Sequence, residues 1–112
     1  MNISESKQGN VTILVAQGKL DATSSPELDK RISSLVENGT RQIALDLAGL
    51  DYVSSAGLRV FLSAAKRLKQ AQGKLALANL SAQVQQIFDI AGFESILPIF
   101  KTVNEAVDAC AI

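Results

Sequence analysis

Gln42-Ile-Ala-Leu-Asp-Leu47, Asp51-Tyr-Val-Ser-Ser-Ala-Gly57 and Lys74-Leu-Ala-Leu-Ala78 decide the fold of this chain. The first and third are short apolar runs. Their density suits strands buried on both faces, in a sheet covered by helices. Residues 51–57 are small and polar and read as a loop. Leu58, Phe61, Leu62, Ala65 and Leu68 then recur at helical spacing, with Arg59, Lys66, Arg67 and Lys69 on the opposite side. Strand, loop, helix and strand in that order predict a crossover between parallel strands.

Upstream, Val11-Thr-Ile-Leu-Val-Ala16 is rich in β-branched residues, and Asn2–Lys7 alternates weakly before a Gly9-Asn10 turn. These predict a hairpin of Asn2–Lys7 with Val11–Gln17. Ser25-Pro26-Glu27 predicts a helix start, with Ser25 as the cap, Pro26 at the first helical position and Glu27 at the positive end. Leu28, Ile32, Leu35 and Val36 share one face of that helix, and Asn38-Gly39 ends it. Gly73 is expected to end the second helix.

Downstream, Ser81 caps a helix carrying Val84, Ile87, Phe88 and Ala91, closed by Gly92. Ile96–Phe100 reads as a short strand or an extended connector, given Pro98. Val103, Ala106, Val107 and Cys110 predict a terminal helix, in which Cys110 packs as a small apolar residue. The order predicts an α/β fold: one domain over residues 1–112, with a mixed, mostly parallel sheet of four to five strands and about four helices.

The chain has 112 residues, 47% of them hydrophobic and 20% charged, enough for one core without metals or disulfides. Eleven Lys and Arg balance eleven Asp and Glu. No global basic excess exists to neutralise phosphates, so no nucleic-acid partner is expected. With 4% aromatic residues, stacking platforms for single strands are not expected either. The absence of His removes His-dependent nucleophilic sites, phosphohistidine relays and His-ligated metals. A single Cys builds neither a disulfide nor a thiolate metal site. No apolar run reaches the ~20 residues of a membrane helix. The segment MNISESKQGN lacks the features of a signal peptide. A cytoplasmic protein with no membrane association, metal or cofactor is expected; oligomeric state is not legible.

In α/β sheets, sites form on loops beyond the carboxyl ends of strands. Lys19-Leu-Asp-Ala-Thr-Ser-Ser25 and Leu47–Gly57 qualify, and both place a carboxylate near hydroxyls. At Ser54-Ser55-Ala56-Gly57 the open N–H groups of a helix start would stabilise a phosphoserine. The simpler reading is that Ser54 or Ser55 caps the helix. Asp21 and Asp46 read as loop carboxylates held by backbone N–H groups. A phospho-acceptor site of the receiver type would need an acidic pair ending the first strand, and that is missing. No Gly-rich phosphate loop, shifted general base or metal cluster is readable, so no catalytic residue is assigned and an enzyme using Asp21 and Asp46 is disfavoured.

Gly18-Lys-Leu-Asp21 followed by Leu45-Asp-Leu-Ala-Gly-Leu-Asp-Tyr-Val-Ser-Ser-Ala-Gly-Leu58 strongly resembles the STAS family, within it the bacterial anti-sigma factor antagonists. The resemblance spans almost the whole chain. It implies a regulatory binding protein, not an enzyme. Unphosphorylated, such a protein binds an anti-sigma factor that is also a serine kinase of the GHKL type. Phosphorylation of a serine at the loop–helix junction lowers affinity, and a PP2C-type phosphatase resets the switch. The sporulation-type motif reads Asp-Ser-Ser-Gly-Leu, with phosphate on the Ser before Gly. Aligned on Gly57-Leu58, this chain has Ala56 in the acceptor position and Ser54 in place of the Asp. The resemblance therefore implies Ser55 as acceptor, with Ser54 as alternative, or a non-phosphorylated scaffold or docking module. It also implies a partner-binding surface of Asp21, Asp46, Ser54, Ser55, Ala56, Gly57, Leu58 and Arg59.

Overall fold

The computed structural model describes residues 1–92 and 97–111. The hairpin forms as expected. β1 (Asn2–Gln8) runs antiparallel to β2 (Val11–Leu20), with Gly9 at φ +63 in the turn. α1 (Ser25–Glu37), β3 (Gln42–Asp46), β4 (Leu50–Val53), α2 (Ser55–Gln70), β5 (Lys74–Ala78), α3 (Ala82–Ala91), β6 (Ile99–Phe100) and α4 (Val103–Cys110) follow. The sheet order is β1-β2-β3-β5-β6, with β4 paired to β2, and every pairing after the hairpin is parallel.

The period-two alternation in the strands separates two cores. Leu14 and Ala16, Ile43 and Leu45, and Leu75 and Leu77 turn to one face, where they meet Leu28 and Ile32 of α1, Phe61 and Leu68 of α2, and Val84 and Phe88 of α3. Phe61 and Phe88 stack tilted, with centroids 5.7 Å apart. Ala44, Ala76 and Ala78 turn to the other face, where Ala106, Val107 and Cys110 of α4 cover them. The alanines let α4 sit close to the strands. Double-sided burial of β3 and β5 is thus what their unbroken apolar runs required.

Several boundaries differ from the expectation. Leu50–Val53, read as part of a loop, is a further parallel strand, which brings the sheet to six strands. It continues along the same edge of β2 after β3 ends: Val15 faces Asp46, and Leu20 faces Val53. β2 accordingly runs past Gly18, with an irregular register between Gly18 and Lys19. The cap position of α1 is Ser24, not Ser25; Ser25 is the first helical residue and is buried. α2 runs to Gln70 with Ala71 at its cap position. Gln72 takes the left-handed φ +62, and the Gly73 N–H closes the helix end on the Leu68 carbonyl at 2.6 Å, while its lack of a side chain admits the Arg41 carbonyl. The expected ends at Asn38-Gly39, with Gly39 at φ +100, and at Gly92, at φ +73, do form. Ile96, the expected start of the last strand, lies outside the described residues.

The start of the second helix as a candidate docking and modification site

The junction of β4 with α2 is held against the end of β2. The Ser54 N–H donates to the Leu20 carbonyl at 2.8 Å. Gly57 sits directly on Leu20: a Cβ there would stand 2.9 Å from the Leu20 carbonyl oxygen and 2.8 Å from its Cγ. Only glycine lets α2 start so near β2. The loop leaving β2 begins one residue later, at Asp21, so the two expected segments adjoin.

The two serines divide their roles. Ser54 is extended (φ -85, ψ 175), and its hydroxyl accepts the Gly57 N–H at 3.3 Å. It is the helix cap. Ser55 is the first residue of α2 and is exposed, and its hydroxyl has no hydrogen bond among the described residues. Ala56, half-buried, is the next residue into the helix.

Asp21 organises the neighbouring loop. One carboxylate oxygen accepts from Thr23 N–H at 3.0 Å and Ser24 N–H at 3.1 Å. The Ser24 hydroxyl accepts the Asp21 N–H at 3.0 Å and donates to the Lys19 carbonyl at 2.7 Å. Ser25 N–H and hydroxyl both donate to the Asp21 carbonyl. The Ser24 N–H above all, helped by the Thr23 N–H and the Ser24 hydroxyl, holds the Asp21 carboxyl below the ordinary carboxylate range, against an opposing desolvation second only to the Ser24 N–H. Ser24 is therefore occupied by the loop, which is why it makes no side-chain cap to α1.

The other expected surface residues separate. Asp46 lies opposite Val15, five residues back along β2 from Leu20, or about 16 Å of strand. Its carboxylate accepts from Ala48 N–H at 3.1 Å and the Asn79 side chain at 3.4 Å, tying β3 to the end of β5. It does not join Asp21 and Ser55. Leu58 is 8% exposed and packs in the main core, so it anchors α2 and offers no docking surface. Arg59 is exposed one turn beyond Ser55.

Between the starts of α1 and α2 lies an open cavity of about 360 Å³. Pro26 and Asp29 line one side, and Ala56, Arg59 and Ser63 the other. A cavity of about 290 Å³ with Ala65, Ala76 and Ala109 in its walls lies by the amino end of β5 and holds none of the site residues. Two features of the site were not readable beforehand. One is the Leu20 carbonyl as anchor, a backbone group with no residue signature. The other is Tyr52, 46% exposed on β4 opposite Lys19, in a segment read as loop because β4 is short and both of its middle residues are exposed. No cluster of potential metal ligands occurs among the described residues. No described helix is long and apolar enough to cross a membrane.

The STAS domain family model matches residues 2–106. The chain belongs to the STAS domain family. It is 38% identical over 109 residues to the Bordetella bronchiseptica protein BtrV, which carries the name of an anti-sigma factor antagonist; the match covers 97% of this chain and 94% of BtrV. Among solved structures, a Thermotoga maritima protein likewise named as an anti-sigma factor antagonist superimposes with a TM-score of 0.91 at 20% identity, covering 98% of this chain and 95% of that one. The Bacillus cell fate determinant SpoIIAA, solved in its phosphorylated form, matches with a TM-score of 0.73 at 20% identity, covering 96% of this chain and 98% of that one. The fold and family expected from the two motifs are those found.

Proposed function

We propose that this STAS domain is an anti-sigma factor antagonist that works as a partner switch, with Ser55 as its phosphorylated residue and the start of α2 as its docking face. The observation that carries the assignment is the division between the serines. The Ser54 hydroxyl is taken by the Gly57 N–H, whereas the Ser55 hydroxyl is exposed and free of hydrogen bonds among the described residues. The name of BtrV, and the existence of SpoIIAA in unphosphorylated and phosphorylated forms, support the reading. The partner is an anti-sigma factor that is also a GHKL-type serine kinase, and a PP2C-type phosphatase removes the phosphate, all in the cytoplasm. The chain is ligand and substrate and itself catalyses nothing.

The docking face is formed by Ser55, Ala56, Arg59 and the Asp21 loop beside the groove. A phosphate adds about −1.5 to −2 charges at neutral pH to that face. A binding penalty of about 3 kcal/mol lowers affinity roughly a hundredfold. The N–H groups at the open start of α2 favour the anion in the free protein, so no unfolding is needed.

Phosphosite mapping after incubation with the GHKL-type kinase and ATP tests the assignment. Modification at Ser55, abolished by Ser55→Ala, is expected; full modification of Ser55→Ala refutes it. Ser55→Asp is expected to weaken kinase binding by calorimetry. A chain that stays unmodified yet binds its partners constitutively would instead be a docking module, the reading favoured by Ala56 in the usual acceptor position.

A further inference from the structure

We propose that Arg59 closes on the Ser55 phosphate as an intramolecular clamp, so that modification both charges the docking face and withdraws a cation from it. The clamp deepens the switch described above and rests on Ser55 being the modified residue.

The geometry points to this pair. Ser55 and Arg59 are four residues apart in α2. Residues so spaced have Cβ atoms about 5–6 Å apart, and the order with the anion nearer the amino end is the favourable one. Around the helix Ser55 stands about 40° from Arg59, whereas Ser54 stands about 140° away. Both Ser55 and Arg59 are exposed. Arg59 makes no ion pair: the salt bridge found among the described residues joins Arg31 to Glu5 at 3.6 Å. Asp29 lines the same groove without reaching it. The guanidinium is thus uncommitted, and its planar fork matches two phosphate oxygens.

Phosphate and guanidinium would then satisfy each other across one helical turn. An anti-sigma factor that uses Arg59 in the unmodified complex loses that contact as well as meeting the new charge.

The test places phosphoserine at position 55 during translation, so no kinase is involved. The second phosphate ionisation is followed by 31P NMR titration in the otherwise wild-type chain, Arg59→Ala, Arg59→Lys and Lys66→Ala. Asp21, Asp29 and Asp51 act on the phosphate equally in all four. The ionisation in Arg59→Ala is expected about 0.2–0.4 pH units higher than in the wild-type chain. Arg59→Lys should fall between them, and Lys66→Ala should match wild type. Identical titration of wild type and Arg59→Ala overturns the clamp, even if kinase mapping finds Ser55. Conversely, modification elsewhere by the kinase leaves this titration intact and removes only the switch. Arg59→Ala should also show a smaller fold-loss of partner affinity on phosphorylation; an equal fold-loss overturns the withdrawal.

Discussion

The Ser54 N–H and the Leu20 carbonyl meet at 2.8 Å, and through this bond the end of β2 sets where α2 begins. Gly57 makes the approach possible. Gly57→Ala would place a Cβ 2.9 Å from a backbone oxygen that has no rotamer to yield. Alanine favours the helix by up to about 1 kcal/mol. Overpacking in a fitted core costs about 1–3 kcal/mol. The clash wins because its partner is backbone. Gly57→Ala is expected to lower stability in urea denaturation and to weaken partner binding, by displacing the docking face. A stability equal to or above wild type would show that α2 is not held as described.

Ser54→Ala and Ser55→Ala should separate structure from switching. The cap loses its acceptor for the Gly57 N–H in Ser54→Ala, a loss of about 1 kcal/mol. Ser55→Ala removes an exposed hydroxyl with no hydrogen bond and should change stability by less than about 0.5 kcal/mol. Denaturation of both variants in parallel checks this. The reverse order would move the cap to Ser55 and free Ser54 for the phosphate.

The difference between those serines marks where the sequence stops being legible. Ser54-Ser55 before a helical stripe announces a cap, but either serine satisfies the pattern. What decides is the extended backbone at Ser54, and β4 imposes it. β4 was itself hidden: Leu50–Val53 is only four residues long, with Asp51 and Tyr52 exposed in its middle. Its pairing with β2 depends on where β3 stops, a relation between distant segments. The long signals, β3 and β5 with one large-residue and one alanine face and the stripe of α2, were readable because burial on both sides leaves few residue choices. Ser24-Ser25 failed for the same reason as Ser54-Ser55 and in the opposite sense. Asp21 draws the Ser24 side chain into the loop, so the helix begins without the side-chain cap that the pattern suggests. Asp46 shows a further limit: a loop carboxylate is recognisable, but its distance from Ser55 is a matter of register.

Asp21 should give the chain an acid-sensitive loop. Its folded carboxyl is depressed, chiefly by the Ser24 N–H, so the ionised form is the stabilising one. That contribution is fully present above the unfolded value of about 3.9 and is lost as pH falls through the lower folded value. In urea denaturation, wild type should exceed Asp21→Asn by a constant margin from pH 7 to about pH 5. The margin should shrink below about pH 4. A margin that persists unchanged to pH 3 would mean the loop does not depend on the charge.

Cys110 should report on the opening of α4. Its thiol is 1% exposed and donates weakly to the Ile43 carbonyl at 3.7 Å. Desolvation pushes the thiol up, and Lys74 only partly offsets this. Both access and thiolate fraction are therefore low in the native chain, and the thiolate is the reactive form. Iodoacetamide labelling at pH 8 should be slow under native conditions. It should accelerate with urea as α4 lifts from Ala44, Ala76 and Ala78, tracking the free energy of that opening. Ala106→Gly, which removes a buried methyl and loosens the helix, should raise the native labelling rate at least several-fold. Immediate full labelling of the native chain would show that α4 does not cover this face of the sheet.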